Sequence, residues 1–146
     1  MGDNTSYTII PELKLIITYG KGRVFIEDII QLNRNFISDK LYDPSFNLLM
    51  DFRDSIAIAF KFDILDFFDF FKENVSLKTR IRNGILYGTP NQKFLISIYK
   101  PIANLAKIDT ENFKDIKLYF DWMQFSEDEQ KVINDAIRSM KSNLSD

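Results

Sequence analysis

Apolar residues recur along the chain at two spacings, and the switches between them set out an order of elements. Tyr7 to Ile10 and Leu13 to Tyr19 read as two short strands, broken at Pro11 and Glu12. In the second, Leu13, Leu15 and Ile17 alternate with Lys14, Ile16 and Thr18, which predicts a strand covered mostly on one face. Gly20, Lys21 and Gly22 predict a turn. A helix is expected from Ile26 to Asp39, because Ile26, Ile29, Ile30, Asn33, Phe36 and Ile37 recur at helical spacing. Glu27 and Asp28 stand in its first turn, where the helix dipole favours acids, and Pro44 lies in the segment that ends it.

Phe46 to Met50 is a short, mostly apolar run, as expected of a strand buried on both faces, and it stops at Asp51. A loop through Arg53, Asp54 and Ser55 should then lead to a second helix near Asp63 to Asn74, burying Ile64, Phe67, Phe68, Phe71 and Val75. Ile81 to Tyr87 predicts another buried strand. Thr89 as N-cap and Pro90 at the first position open a third helix, which Pro101 should kink or end. A strand near Ile116 to Phe120 and a last helix complete the set. Ser126 and Glu129 form a capping box there, with Val132, Ile133, Ala136, Ile137 and Met140 as the apolar face. The order β-β-α-β-α-β-α-β-α implies one α/β domain over residues 1–146, with a mainly parallel sheet and helices outside. Residues 1–5 and 142–146 are polar and expected to fray.

Composition narrows the chemistry. The chain has no histidine and no cysteine, which removes the commonest general base, disulfides and thiolate metal sites. A net charge of -2 gives no electrostatic case for nucleic acid. No apolar run reaches the roughly 18 residues of a membrane span, and the polar N-terminus lacks the apolar core of a signal peptide, so a cytoplasmic location is the default.

Two places remain where function can sit. In an open α/β sheet, ligands bind beyond the carboxyl ends of the strands. Two such ends are polar here, and if their strands are neighbours then Asp51, Arg53, Asp54, Ser55 and Thr89 share one rim. Two carboxylates there could hold Mg²⁺ through hard oxygen ligands, giving a carboxylate-based enzyme. The simpler reading makes Asp51 a cap, Arg53 its acid's partner and Thr89 a helix cap, so neither catalytic residue, metal nor cofactor is expected. The second place is the aromatic stretch. Six of 14 phenylalanines fall between Phe60 and Phe71, more than one helical stripe can bury. Phe60, Phe62, Phe67, Phe70 and Phe71 are therefore candidates for binding a partner chain or a hydrophobic ligand, unless a wide sheet buries them.

Three segments carry a family resemblance: Tyr7-Thr-Ile-Ile-Pro-Glu-Leu13, Gly22-Arg-Val-Phe-Ile-Glu-Asp28 and Phe46-Asn-Leu-Leu-Met-Asp-Phe-Arg-Asp54. Across about the first 55 residues the chain resembles the SpoIIAA-like proteins, bacterial relatives of the STAS domain of anti-sigma-factor antagonists. The resemblance implies a small α/β sandwich with a mixed sheet of four or five strands and about four helices. It also implies a non-catalytic role in protein interaction or regulation, with an unidentified protein or a second copy of the chain as partner. In the antagonists, a serine just after the strand ending in aspartate is phosphorylated, within Asp-Ser-Ser/Thr-Gly. Here Ser55 lies near that place, but Ile56 to Ala59 follow with neither glycine nor second hydroxyl. The SpoIIAA-like branch is also likened to the lipid-binding CRAL-TRIO fold, which implies, as the alternative, a carrier or sensor of a small hydrophobic ligand.

Overall fold

The computed structural model describes residues 4–58 and 79–144, together with Asp66, Asp69, Phe70, Lys72 and Glu73 between them. Strand β1 (Thr5–Ile10) and strand β2 (Leu15–Phe25) pair antiparallel around a short 3-10 turn at Pro11–Leu13. Helix α1 (Ile26–Ile37) leads to strand β3 (Asn47–Ile58), and strand β4 (Ile81–Leu86) follows the central segment. Helix α2 (Pro90–Leu105) and strand β5 (Ile108–Phe113) come next, and helices α3 (Ile116–Met123) and α4 (Glu127–Asn143) close the chain. The sheet order is β1-β2-β3-β4-β5, parallel from β2 onward. Asp66, Asp69, Phe70, Lys72 and Glu73 are helical, where the second helix was expected. Its expected buried face, Ile64, Phe67, Phe68, Phe71 and Val75, lies outside the described residues.

Parallel strands joined in sequence order bring their crossover helices to one face. That face holds Val24, Ile29, Met50, Ile85 and Ile96, from β2, α1, β3, β4 and α2. The opposite face packs Leu15, Ile17, Leu49 and Leu86 against Tyr119 and Phe120 of α3 and Ile133, Ile137 and Met140 of α4. Strand β2 is thus buried on both faces, Ile16 and Thr18 included, and not on one as its alternation predicts. Polar Thr18 is tolerated there as a small β-branched residue, although its hydroxyl has no hydrogen-bond partner.

Three further expectations are corrected, and the one for Pro101 is narrowed. Gly20 to Gly22 do not end a strand: β2 runs through them to Phe25, with a register irregularity after Tyr19 and Gly22 at φ +67°. Arg53, Asp54 and Ser55 are not a loop, because β3 pairs with β2 as far as Ile58. Ile116 to Phe120 is a helix, N-capped by the Asp115 side chain, and the strand lies earlier at Ile108–Phe113. That strand mixes Asp109, Thr110, Glu111 and Asn112 into its length, as suits a sheet edge, and so lacks an apolar run. Pro101 does not end α2, which continues to Leu105. Of the tails, Asn4 and Thr5 are held, with Lys21 N donating to the Asn4 carbonyl at 2.8 Å, and α4 extends to Asn143. The Ser126–Glu129 capping box forms as expected.

Gly84 of β4 is where the sheet and α3 meet most closely. A Cβ there would stand 2.2 Å from Tyr119 Cδ1, so the ring lies directly on the glycine backbone. Arg82 sets the angle of approach, its guanidinium 5.2 Å over the Trp122 ring and donating to the Trp122 carbonyl at 3.0 Å. Gly84→Ala should therefore destabilise the protein by about 1–3 kcal/mol in urea unfolding, as overpacking does. The double variant with Tyr119→Ala should lose less than the sum of the two single changes.

Candidate functional site

The rim lies where β4 ends, beside the lengths of β2 and β3 that run on to Phe25 and Ile58, and it is organised by one extra residue. Tyr19 lies opposite Asp51 and Lys21 opposite Asp54, so β3 spends three steps where β2 spends two. In a regular strand, residues three apart point to opposite faces. The irregularity instead turns Asp51 and Asp54 toward the same side, and the charges of both act on Tyr19.

Asp51 is fully buried, yet its charge is matched. Oδ1 accepts from Arg53 N at 3.1 Å and Nε at 2.9 Å, and Oδ2 accepts from Nη2 at 2.8 Å. This is a bidentate pair closed within three residues, and it holds the Arg53 guanidinium still more firmly in its charged form. Asp54 accepts a 2.6 Å hydrogen bond from the Tyr19 hydroxyl and lies 3.4 Å from Lys141 Nζ on α4. Lys21 donates to the Leu144 carbonyl at the C-terminus of that helix, at 3.3 Å. Two lysines and a tyrosine thus fasten the end of α4 to β2 and β3.

Ser55 is buried inside β3 and donates to the Phe52 carbonyl at 2.9 Å. It stands in a strand and not at a helix start. Thr89 caps α2 by accepting from Gln92 N at 3.2 Å, and Pro90 is the first helical residue. The strands are neighbours, as a shared rim requires, but Thr89 serves the helix.

Gln92 is the residue that sequence reasoning missed. Its Oε1 accepts from Gly88 N at 2.6 Å and Thr89 N at 3.3 Å, while Nε2 donates to the Phe52 carbonyl at 2.9 Å and to the Ser55 carbonyl. It joins the end of β4 to the length of β3 that outruns it. Half of this was legible: Thr89 followed three residues later by Gln92 is a capping-box spacing. The reach across to β3 was not.

Among the described residues no group of three or more acidic side chains is placed to hold a metal ion. Of the aromatic candidates, Phe70 is buried at 5% exposure, with the Arg34 guanidinium 5.0 Å over its ring. Phe60, Phe62, Phe67 and Phe71 lie outside the described residues.

The two ion clusters should behave differently on mutation. Arg53→Met leaves the Asp51 charge buried without its partner and should cost about 3 kcal/mol in urea unfolding at neutral pH, against under about 1 kcal/mol for exposed Lys141→Met. The Tyr19 hydrogen bond, followed by Lys141, holds the Asp54 carboxyl below the usual carboxylate range. Burial and then Asp54 push the Tyr19 phenol up. A depressed acid stabilises the fold above its unfolded value, near about 3.9, and that contribution disappears as pH falls through the folded value. The stability gap between the wild type and Tyr19→Phe should thus be present at neutral pH and shrink on acidification below about pH 4.

No known protein-family pattern matches the chain, and no curated protein matches it in sequence. Its structure does match one that has been solved, an uncharacterised protein of the DUF3478 family from Shewanella loihica described as having a SpoIIAA-like fold. The two superpose with a TM-score of 0.55 at 15% identity, over 82% of this chain and 93% of that one. With its mixed five-stranded sheet and helices on both faces, the chain has the SpoIIAA-like fold.

Proposed function

We propose that the chain is a non-enzymatic interaction or regulatory module of the STAS-like kind. The observation that carries this reading is the pairing at the rim. The groups that would have to converge on a substrate are instead consumed by one another: Asp51 by Arg53, Asp54 by Tyr19 and Lys141, and Gln92 by four backbone groups. A chain with neither histidine nor cysteine has few other groups to offer a reaction. The buried hydroxyl of Ser55 argues against regulation by phosphorylation at that residue.

Apolar surface is available beside the same rim. Ile56, 60% exposed, follows Ser55 at one end of the Gln92 bridge, and Phe94, 62% exposed, stands two residues beyond Gln92 at the other. Exposed aromatic and β-branched residues of this kind anchor protein interfaces, and the partner is a protein chain, another copy included. The alternative, a carrier of a hydrophobic ligand, draws on the phenylalanine content. One apolar cavity among the described residues, beneath α1 and lined by Ile16, Phe36, Phe46 and Ile108, measures about 20 Å³, too small for an acyl chain.

Native mass spectrometry and light scattering of protein purified from its own host test the reading. The expected result is a discrete complex, with a second protein or a second copy, that Ile56→Asp and Phe94→Asp weaken at least about tenfold. A monomer carrying a lipid would replace this reading by the carrier, and a bare monomer would overturn both.

A further inference from the structure

A cleft of about 230 Å³ opens between β1 and α1, away from the rim. Strand β1 lines it with Thr5, Ser6 and Tyr7, and α1 with Asp28, Gln31, Leu32 and Asn35. These four helical positions recur at i, i+3, i+4 and i+7, the stripe that an amphipathic helix turns toward a sheet and normally makes apolar. Here three of the four are polar. The volume equals that of about eight water molecules, which is large for a bare metal ion.

Asp28 is the lining group that defines the chemistry. It is 4% exposed, and its Oδ2 accepts from Phe25 N at 2.9 Å, while no side-chain cation pairs with it among the described residues. A buried carboxylate without a counter-charge is costly, even with the dipole of α1 in its favour. Around it stand neutral hydrogen-bonding groups. Gln31 donates to Asn35 Oδ1 at 2.9 Å, which leaves the Gln31 carbonyl as an acceptor and the Asn35 amide NH₂ as a donor for a ligand. The Tyr7 hydroxyl is directed to Asp39 Oδ2 at 2.8 Å, so that residue offers the cleft its ring.

We propose that this cleft binds a small organic cation of the primary ammonium class, its charge set on Asp28 and its remaining polar atoms on Ser6, Gln31 and Asn35. A carboxylate with neighbouring acceptors suits an ammonium that donates hydrogen bonds. A quaternary ammonium would need an aromatic cage, and the cleft has a single ring. The site is independent of the interaction reading above, since it shares no residue with the rim or with Ile56 and Phe94.

The test is a titration of isotope-labelled protein with ethanolamine hydrochloride at neutral pH, followed by amide NMR. Sodium chloride and tetramethylammonium chloride at matched ionic strength are the controls. Saturable shifts at Ser6, Asp28, Gln31 and Asn35 are expected with ethanolamine alone. Asp28→Asn, which keeps an acceptor for Phe25 N, should weaken binding about tenfold or more, the effect of losing a charge-assisted hydrogen bond. Asn35→Leu, on the exposed mouth and outside the helix cap, should weaken it several-fold without disturbing the fold. The absence of saturable shifts with ethanolamine overturns the proposal. An equal response to either control salt, or unchanged affinity in both variants, overturns it as well.

Discussion

Leu15, Ile16, Ile17, Thr18 and Tyr19 are five consecutive residues of β2 that water scarcely reaches. A strand in that position needs side chains packed above and below it, because successive residues point to opposite faces. Parallel connections in sequence order supply only one of those layers, since each crossover of the same hand returns to the same side. The other face of the sheet is left for the end of the chain to cover. That requirement explains why α3 and α4 follow one another with no strand between them, and why their contacts with β2, β3 and β4 form the largest of the buried clusters.

The polar rim is a consequence of this covering. Helix α4 ends beside Lys21 of β2 and Asp54 of β3, so Lys141 reaches Asp54 and the Leu144 carbonyl receives Lys21. The extra residue in β3 turns Asp54 toward that helix, where an unbroken alternation would turn it away. Packing therefore places three charged side chains and a tyrosine together before any ligand is considered. Their mutual pairing favours reading the rim as a fastening, and it leaves the neighbouring apolar residues as the surface with something to bind.

Much of the architecture was legible because it depends on local pattern. The apolar Leu48 to Met50 of β3, the proline and threonine at the start of α2 and the capping box of α4 are decided within a few residues of sequence. The expectations that failed depend on what lies across the sheet. Gly20 and Gly22 read as a turn, yet β3 runs alongside them and supplies the hydrogen bonds that keep the strand going. Ile116 to Phe120 is apolar enough for either element, and what makes it a helix is its cap at Asp115 and the empty face that Tyr119 fills against Gly84. The strands carrying the expected rim residues are neighbours, as a shared rim required, but the partners Tyr19, Gln92 and Lys141 lie 35, 37 and 87 residues from Asp54 or Ser55, a separation that no local pattern encodes.

The same contrast separates the two polar places in the fold. At the rim, each buried charge has a partner delivered by a neighbouring element, and Asp51 is matched within its own strand. Between β1 and α1, the helix presents Asp28 beside Gln31 and Asn35, and β1 brings no cation to meet it. Burying a carboxylate costs the same in both places, so the difference lies in what offsets it. At the rim the protein supplies the counter-charge, and rigidity follows. In the cleft the hydrogen bond from Phe25 N and the helix dipole meet the acid instead, and space remains beside it for a group from outside. At this margin of the sheet, an edge strand and the first helix leave a gap that the core does not need to fill.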